Sequence, residues 1–136
     1  MKVFFLFVFL GISISGYSFL PEIPIQGQQP NLSIDTKGVI RVTYGNGEKI
    51  YCITSTNNGI SFSSAVVVAE LPGMHLGNTR GPQIASSKNF SFISAMDKMG
   101  NIHSYRLNHS KGGWTPVAEI NDKNGSAPEG LMAIAA

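Results

Sequence analysis

A single cysteine, Cys52, occurs among 136 residues, and only 13% of the chain is charged. One cysteine excludes an intramolecular disulfide, so a core of packed side chains must hold the fold. Cys52 lies inside Ile50-Tyr51-Cys52-Ile53, which marks it as a small buried hydrophobe rather than a nucleophile or metal ligand. Soluble domains average about 25% charged residues. Here the formal net charge is +2, with no basic patch and no charge run, which argues against nucleic acid or an anionic membrane surface as partner. His75, His103 and His109 lack the spacing of zinc ligands, so neither a metal nor a cofactor is expected. A sustained helical period is missing as well.

What the chain does have begins at its N-terminus. Met1-Lys2 gives a short positive start, Val3 to Leu10 is an unbroken apolar run with four phenylalanines, and Gly16-Tyr17-Ser18 offers a small-x-small cleavage site. A secretory signal has this layout, with an apolar centre of about 7–15 residues. A membrane-spanning helix needs about 20, and Ser13, Ser15 and Ser18 interrupt the run before that length. Residues 1–18 are therefore expected to be a signal peptide and 19–27 a linker. The mature protein would be secreted or periplasmic, with no membrane attachment after cleavage.

The remainder consists of short β-branched and aromatic runs separated by Gly, Asn and Pro, the pattern of strands and turns. Leu32–Ile34, Val39–Tyr44, Lys49–Thr54 and Ala65–Ala69 read as one quartet of strands. Pro82–Ala85, Phe90–Met96, Asn101–Arg106 and Val117–Ile120 read as a second. Tyr44-Gly45-Asn46-Gly47-Glu48 predicts a hairpin turn centred on Asn-Gly, and Lys98-Met99-Gly100-Asn101 its counterpart. Pro30 and Pro82 stand 52 apart (82 − 30), as do Leu32 and Ile84, Ile50 and Ile102, Phe62 and Trp114, and Val68 and Ile120. A period near 50 built of four strands is that of a propeller blade; a repeated two-sheet sandwich is the alternative. The expected fold is all-β: two four-stranded antiparallel blades, 28–79 and 80–128, of an incomplete six-bladed β-propeller. Residues 129–136 would begin a third blade, in a chain that is either incomplete or dependent on a partner for its missing blades.

The turn Ser55-Thr56-Asn57-Asn58-Gly59-Ile60-Ser61-Phe62 resembles the Asp-box (BNR repeat) of sialidase-like propellers, Ser-x-Asp-x-Gly-x-Thr-Trp. Ser55, Gly59 and Phe62 fit; Asn57 replaces Asp and Ser61 replaces Thr. The second copy, Asn108 to Trp114, is one residue short and keeps mainly Gly112 and Trp114. A short polar side chain at Asn57 can bond backbone N–H groups across the turn, Gly permits its backbone angle, and the aromatic packs back into the blade. These residues are expected to be structural and to lie away from any binding site.

The resemblance covers roughly Gln28 to the C-terminus and implies a ligand site at the channel mouth, where each blade's last strand leads into the next blade's first. Gln28 or Gln29, Arg80 and Glu129 occupy matching places there. Arg80-Gly81-Pro82 fits the Arg-x-Pro motif with which sialidases hold a substrate carboxylate, and a guanidinium can grip a carboxylate through two parallel hydrogen bonds. Arg80 is thus the expected substrate-binding residue, with His75 lining the pocket. Glu129 is a weak catalytic candidate, as acid, base or partner of Arg80. Asp97, on another mouth-facing turn, is explained by turn preference. Tyr44, Tyr51 and Tyr105 lie within strand runs and are read as packing residues. The tyrosine nucleophile and two further arginines of the family would come from later blades, so no hydrolysis is expected of these residues alone. The implied activity is that of a glycoside hydrolase acting on a sialoside or other acidic glycan. A non-catalytic propeller binding glycan or protein, or a structural remnant, are the alternatives. Asn31, Asn89, Asn108 and Asn124 each begin an Asn-x-Ser sequon. N-terminal sequencing of the exported protein should start close to Phe19; a retained Met1 would rule out the cleaved signal.

Overall fold

The computed structural model describes residues 26–117, 120–130 and 132–136. The expected signal peptide, 1–18, and most of the 19–27 linker lie outside the described residues. Eight strands follow in order: β1 (Gln28–Ile34), β2 (Ile40–Asn46), β3 (Lys49–Ser55), β4 (Val66–Glu70), β5 (Gln83–Ser86), β6 (Phe90–Met96), β7 (Ile102–Asn108) and β8 (Trp114–Pro116). They form two four-stranded antiparallel sheets, β1-β2-β3-β4 and β5-β6-β7-β8, with no helix among the described residues.

Both sheets are meanders, and the pairing repeats between them. Leu32 opposes Val42 where Ile84 opposes Ile93, and Ile50 opposes Gly45 where Ile102 opposes Met96. The second sheet has one residue fewer in its first turn and one more in its middle turn, so the 52-residue offset is restored by β7.

Alternate side chains along a strand point to opposite faces. Ile50 and Cys52 on β3 therefore share a face with Asn31 and Thr43, their neighbours across β1 and β2. This face packs against Ile84, Ile93, Ala95 and Tyr105 of the second sheet, with Leu71 and Met74 from the connecting segment completing the core. Ile50 and Ile93 are fully enclosed, and each such side chain contributes about 1.5–3 kcal/mol by leaving water. The first strands of the two sheets meet, β1 on β5, and so do the last, β4 by β8.

Polar contacts fix the alignment of these faces. The Asn31 carboxamide oxygen accepts the Ile84 N–H at 2.9 Å, joining β1 to β5. Arg41 Nη1 donates to Asp35 Oδ2 at 2.9 Å, and the His109 ring from the second sheet lies 3.7 Å from the same oxygen. His109 Nε2 and Ser91 Oγ are 2.8 Å apart, and Ser91 in turn bonds Ser86. None of this chain of contacts was foreseen from the sequence.

Two expectations need correction. The hairpin between β2 and β3 turns on Gly47-Glu48 rather than on Asn46-Gly47. Asn46 pairs with Lys49, and only Gly47 has a positive φ, the arrangement of a Gly-X turn. The last strand is Trp114–Pro116 rather than Val117–Ile120. Val117 and Ile120 still donate to the carbonyls of Ser104 and Ile102, but residues 118 and 119 lie outside the described residues. Ladder register with β7 decided this boundary, and Pro116 is tolerated because β8 is an edge strand. Residues 129, 130 and 132–136 form no strand, and Met132 packs against the core.

Replacing Asn31 by Ala should lower stability by about 1–3 kcal/mol, because the buried Ile84 N–H loses its acceptor. Asn31→Asp keeps an acceptor oxygen and should recover part of that loss. Urea midpoints of the two variants would show the ordering.

Candidate functional site

The β2–β3 turn, the β6–β7 turn, the β4–β5 connection and the segment from 120 to 130 gather at one end of the two sheets. Leu71 N donates to Glu48 O, Lys98 N to Gly73 O, His75 N to Met96 O, and Ala127 N to Gly100 O. Met74 and Asp97 form an isolated bridge between connection and turn.

Arg80 enters β5 from a tight turn at this end. Gly77 and Arg80 exchange both backbone hydrogen bonds, at 2.9 and 3.0 Å. The two residues between them, Asn78 and Thr79, have φ of 49° and 70°. Asn tolerates that region; a β-branched Thr is strained in it, at a cost of about 1–3 kcal/mol. No sequence signal at Thr79 predicted this.

The Arg80 Nε donates to the backbone carbonyl of Glu129 at 2.6 Å. The salt bridges among the described residues join Arg41 to Asp35, His103 to Asp97 and His109 to Asp35, so the Arg80 charge is not matched by a carboxylate there. His75 Nδ1 is buried without a hydrogen-bond partner. Gly130 sits between them: a Cβ added to it would overlap His75 Nδ1 and press on the Arg80 side chain, and its φ of 69° also disfavours any other residue. On the other side, Gly81 lies against the Gln29 side chain and Gly77 faces Gln28 Oε1. The structure thus brings Arg80, His75 and Glu129 together and sets Gln28 and Gln29 beside the Arg80 turn. Glu129 takes part through its carbonyl; its side chain is exposed and unpaired among the described residues. An open pocket of about 310 Å³ at the same end is lined by Gln28, Gly47, Glu48, Gly73, Met74, Leu76 and Lys98, not by Arg80.

Asp97 is engaged on both oxygens. Oδ1 accepts the N–H groups of Met99 and Asn101, while Oδ2 accepts Asn101 Nδ2 and lies 3.0 Å from His103 Nε2. Burial works to raise its pKa, but these hydrogen bonds outweigh it and hold the carboxyl at about 2. An acid that weak in protons cannot serve as a general acid near neutrality, and its role is to shape the turn.

The turn expected to form an Asp-box, from Ser55 to Phe62, lies at the opposite end. Ser55 Oγ accepts Gly59 N–H and donates to Asn57 Oδ1, which accepts Ser61 N–H, and Asn57 Nδ2 reaches Ser61 Oγ at 2.8 Å. Gly59 has φ of 83°. Phe62 is half-buried, and Trp114 packs against the core. The second turn is not short. Thr115 pairs with Arg106 as Ser63 N–H bonds Thr54 O, so both turns span the same length, and Leu107 supplies the residue that was missing. In place of the box contacts, Asn108 Oδ1 accepts the Ser110 and Lys111 N–H groups, and Gly112 N–H bonds Asn108 O.

Burial pushes the Cys52 thiol up to about 11, which leaves it protonated and inert. Tyr44 stacks on Tyr51 with ring centroids 5.4 Å apart, and Tyr105 belongs to the core. Among the described residues no three His, Cys, Asp or Glu side chains converge as a metal site requires, and no helix is long and apolar enough to cross a membrane.

The architecture defines a class, an all-β protein of two repeated four-stranded antiparallel sheets. Compared with known proteins, the chain matches no family model, no curated protein and no solved structure.

The folded pKa of Asp97 lies below its ordinary value, so its contribution to stability is complete above about pH 4 and is lost as pH falls toward 2. Asp35, whose carboxyl is also held low by Arg41 and the Val39 and Lys37 N–H groups against the effect of burial, adds a loss in the same direction. Acid titration of thermal midpoints should show a steep decline between pH 4 and 2. Asp97→Asn should flatten it and lower stability at pH 7; an unchanged profile would refute this role.

Proposed function

We propose that the chain is exported and supplies the first two blades of a sialidase-like β-propeller, whose channel mouth binds an acidic sugar through Arg80. The stacking of β1 on β5 and β4 by β8 supports the blade reading, because successive blades pack innermost to innermost and outermost to outermost. The hydrogen-bonded turn at Ser55, Asn57, Gly59 and Ser61 supports the family reading.

The observation that carries the binding reading is the anchoring of Arg80 by the Glu129 carbonyl. A neutral acceptor on Nε orients the guanidinium without cancelling its charge. Its terminal nitrogens then form a fork suited to a carboxylate. The strained Gly77–Arg80 turn and Gly130 hold that fork in position. Glu129 acts as a positioning residue, and hydrolysis would require groups beyond those described.

Titration with N-acetylneuraminic acid followed by NMR tests the proposal. Wild-type protein should bind weakly, at millimolar level, and Arg80→Lys should weaken binding at least tenfold because an ammonium lacks the fork. Glu129→Gln should bind as wild type, since the carbonyl is kept. Equal binding by Arg80→Ala would sink the reading. Turnover of a fluorogenic sialoside by the 136-residue chain would instead overturn the expectation of no hydrolysis.

A further inference from the structure

At the end opposite Arg80, the turns of both sheets enclose an open pocket of about 300 Å³. That volume is at the lower end of small-molecule sites, about 300–1,000 Å³. Lys37 comes from the β1–β2 turn of the first sheet; Lys88 and Asn89 come from the β5–β6 turn and Phe90 opens β6, while Asn108 closes β7 and Ser110 follows it in the β7–β8 turn. We propose that this pocket is a second binding site, for a small saccharide carrying a sulfate or phosphate ester. It does not depend on the reading of the Arg80 end.

The electrostatics are one-sided. No carboxylate lines the pocket. The acid underneath, Asp35, is 1% exposed and already bonded to Arg41 at 2.9 Å. Lys37 and Lys88 make no salt bridge among the described residues, so two ammonium groups face solvent uncompensated. The neutral groups add donors. Asn108 Oδ1 is consumed by Ser110 N, Ser110 Oγ and Lys111 N, which leaves only its NH₂ end for a ligand. The Asn89 carboxamide has no hydrogen bond among the described residues and is exposed.

His109 is a wall of the site rather than a donor to ligand. Its Nδ1 faces the Lys88 carbonyl at 3.3 Å, and because a carbonyl only accepts, Nδ1 carries the proton. Nε2 faces the Ser91 hydroxyl at 2.8 Å. The ring so fixed holds the Lys88 turn against β7, beside the Asp35–Arg41 pair of the first sheet.

Two flexible ammonium groups act as point charges and suit a tetrahedral oxyanion, whereas a planar carboxylate gains most from an arginine fork. Phe90 adds apolar surface to the lining, and Arg106 lies over its ring at 5.5 Å. The Ser110 oxygen retains acceptor capacity for a sugar hydroxyl.

NMR titration of the full chain at low ionic strength tests this, read from the side-chain amides of Asn89 and Asn108. Glucose 6-sulfate and glucose 6-phosphate should move both signals with millimolar affinity. Glucose and inorganic phosphate should each bind at least tenfold more weakly. Combined Lys37→Ala and Lys88→Ala, both at exposed turn positions, should weaken ester binding tenfold or more with the rest of the spectrum unchanged. Arg80→Ala should retain ester binding, which separates this site from the other end. No movement of the two amides, undiminished binding by the double variant, or inorganic phosphate binding as tightly as the esters would each overturn the proposal.

Discussion

Each β-sheet has an apolar face to cover, and in this chain those two faces cover each other. Ile50 and Cys52 on one side meet Ile84, Ile93 and Tyr105 on the other. Hydrophobic burial is non-directional and would accept several slides of one sheet over the other. The Asn31 bond to Ile84 and the Asp35–Arg41 pair beside His109 allow only one. The buried ion pair adds little net stability, since desolvation offsets its attraction. Its value is positional, because either partner left alone would be a buried charge. Both ends of the molecule inherit their geometry from this alignment.

At the Arg80 end, the consequence is a set of loops that rest on one another rather than on strands. Asp97 shapes the β6–β7 turn by accepting four hydrogen bonds, and that turn receives the Gly73 carbonyl and the Met74 backbone. The β4–β5 connection, held there, can carry the strained pair Asn78-Thr79 that delivers Arg80. Strain of this kind persists only where the surroundings over-determine the backbone.

Much of the architecture was legible in the sequence because strand burial leaves a periodic trace. The 52-residue spacing of Leu32 and Ile84 and of Phe62 and Trp114 corresponds to equivalent places in the two sheets. Boundaries were less legible. Val117 and Ile120 are apolar and β-branched, yet the last ladder pairs are made by Trp114, Thr115 and Pro116, because hydrogen-bond register rather than propensity ends a strand. At the site, the proximity of Arg80 and Glu129 followed from equivalent places in a repeat, and that of His75 from its place in the connecting loop, but the contacting atom did not. A glutamate next to an arginine suggests a carboxylate contact; the chain uses the Glu129 carbonyl instead. The cluster of Asp35, Arg41 and His109 left no trace, because the three residues belong to three separate turns and strands with no shared spacing.

The two ends differ in how they present positive charge, and that difference decides what each can select. Arg80 is fixed by its Nε, so its remaining donors lie in one plane with a set direction. Lys37 and Lys88 sit on separate sheets, on long stems without fixed partners among the described residues, and their charges can close on an oxyanion from two sides. A ligand bridging them would also touch both halves of the interface. Its binding energy would add to the alignment that Asn31 and Asp35 already impose, and the folded state would be favoured by whatever excess affinity the aligned sheets have over the separated ones.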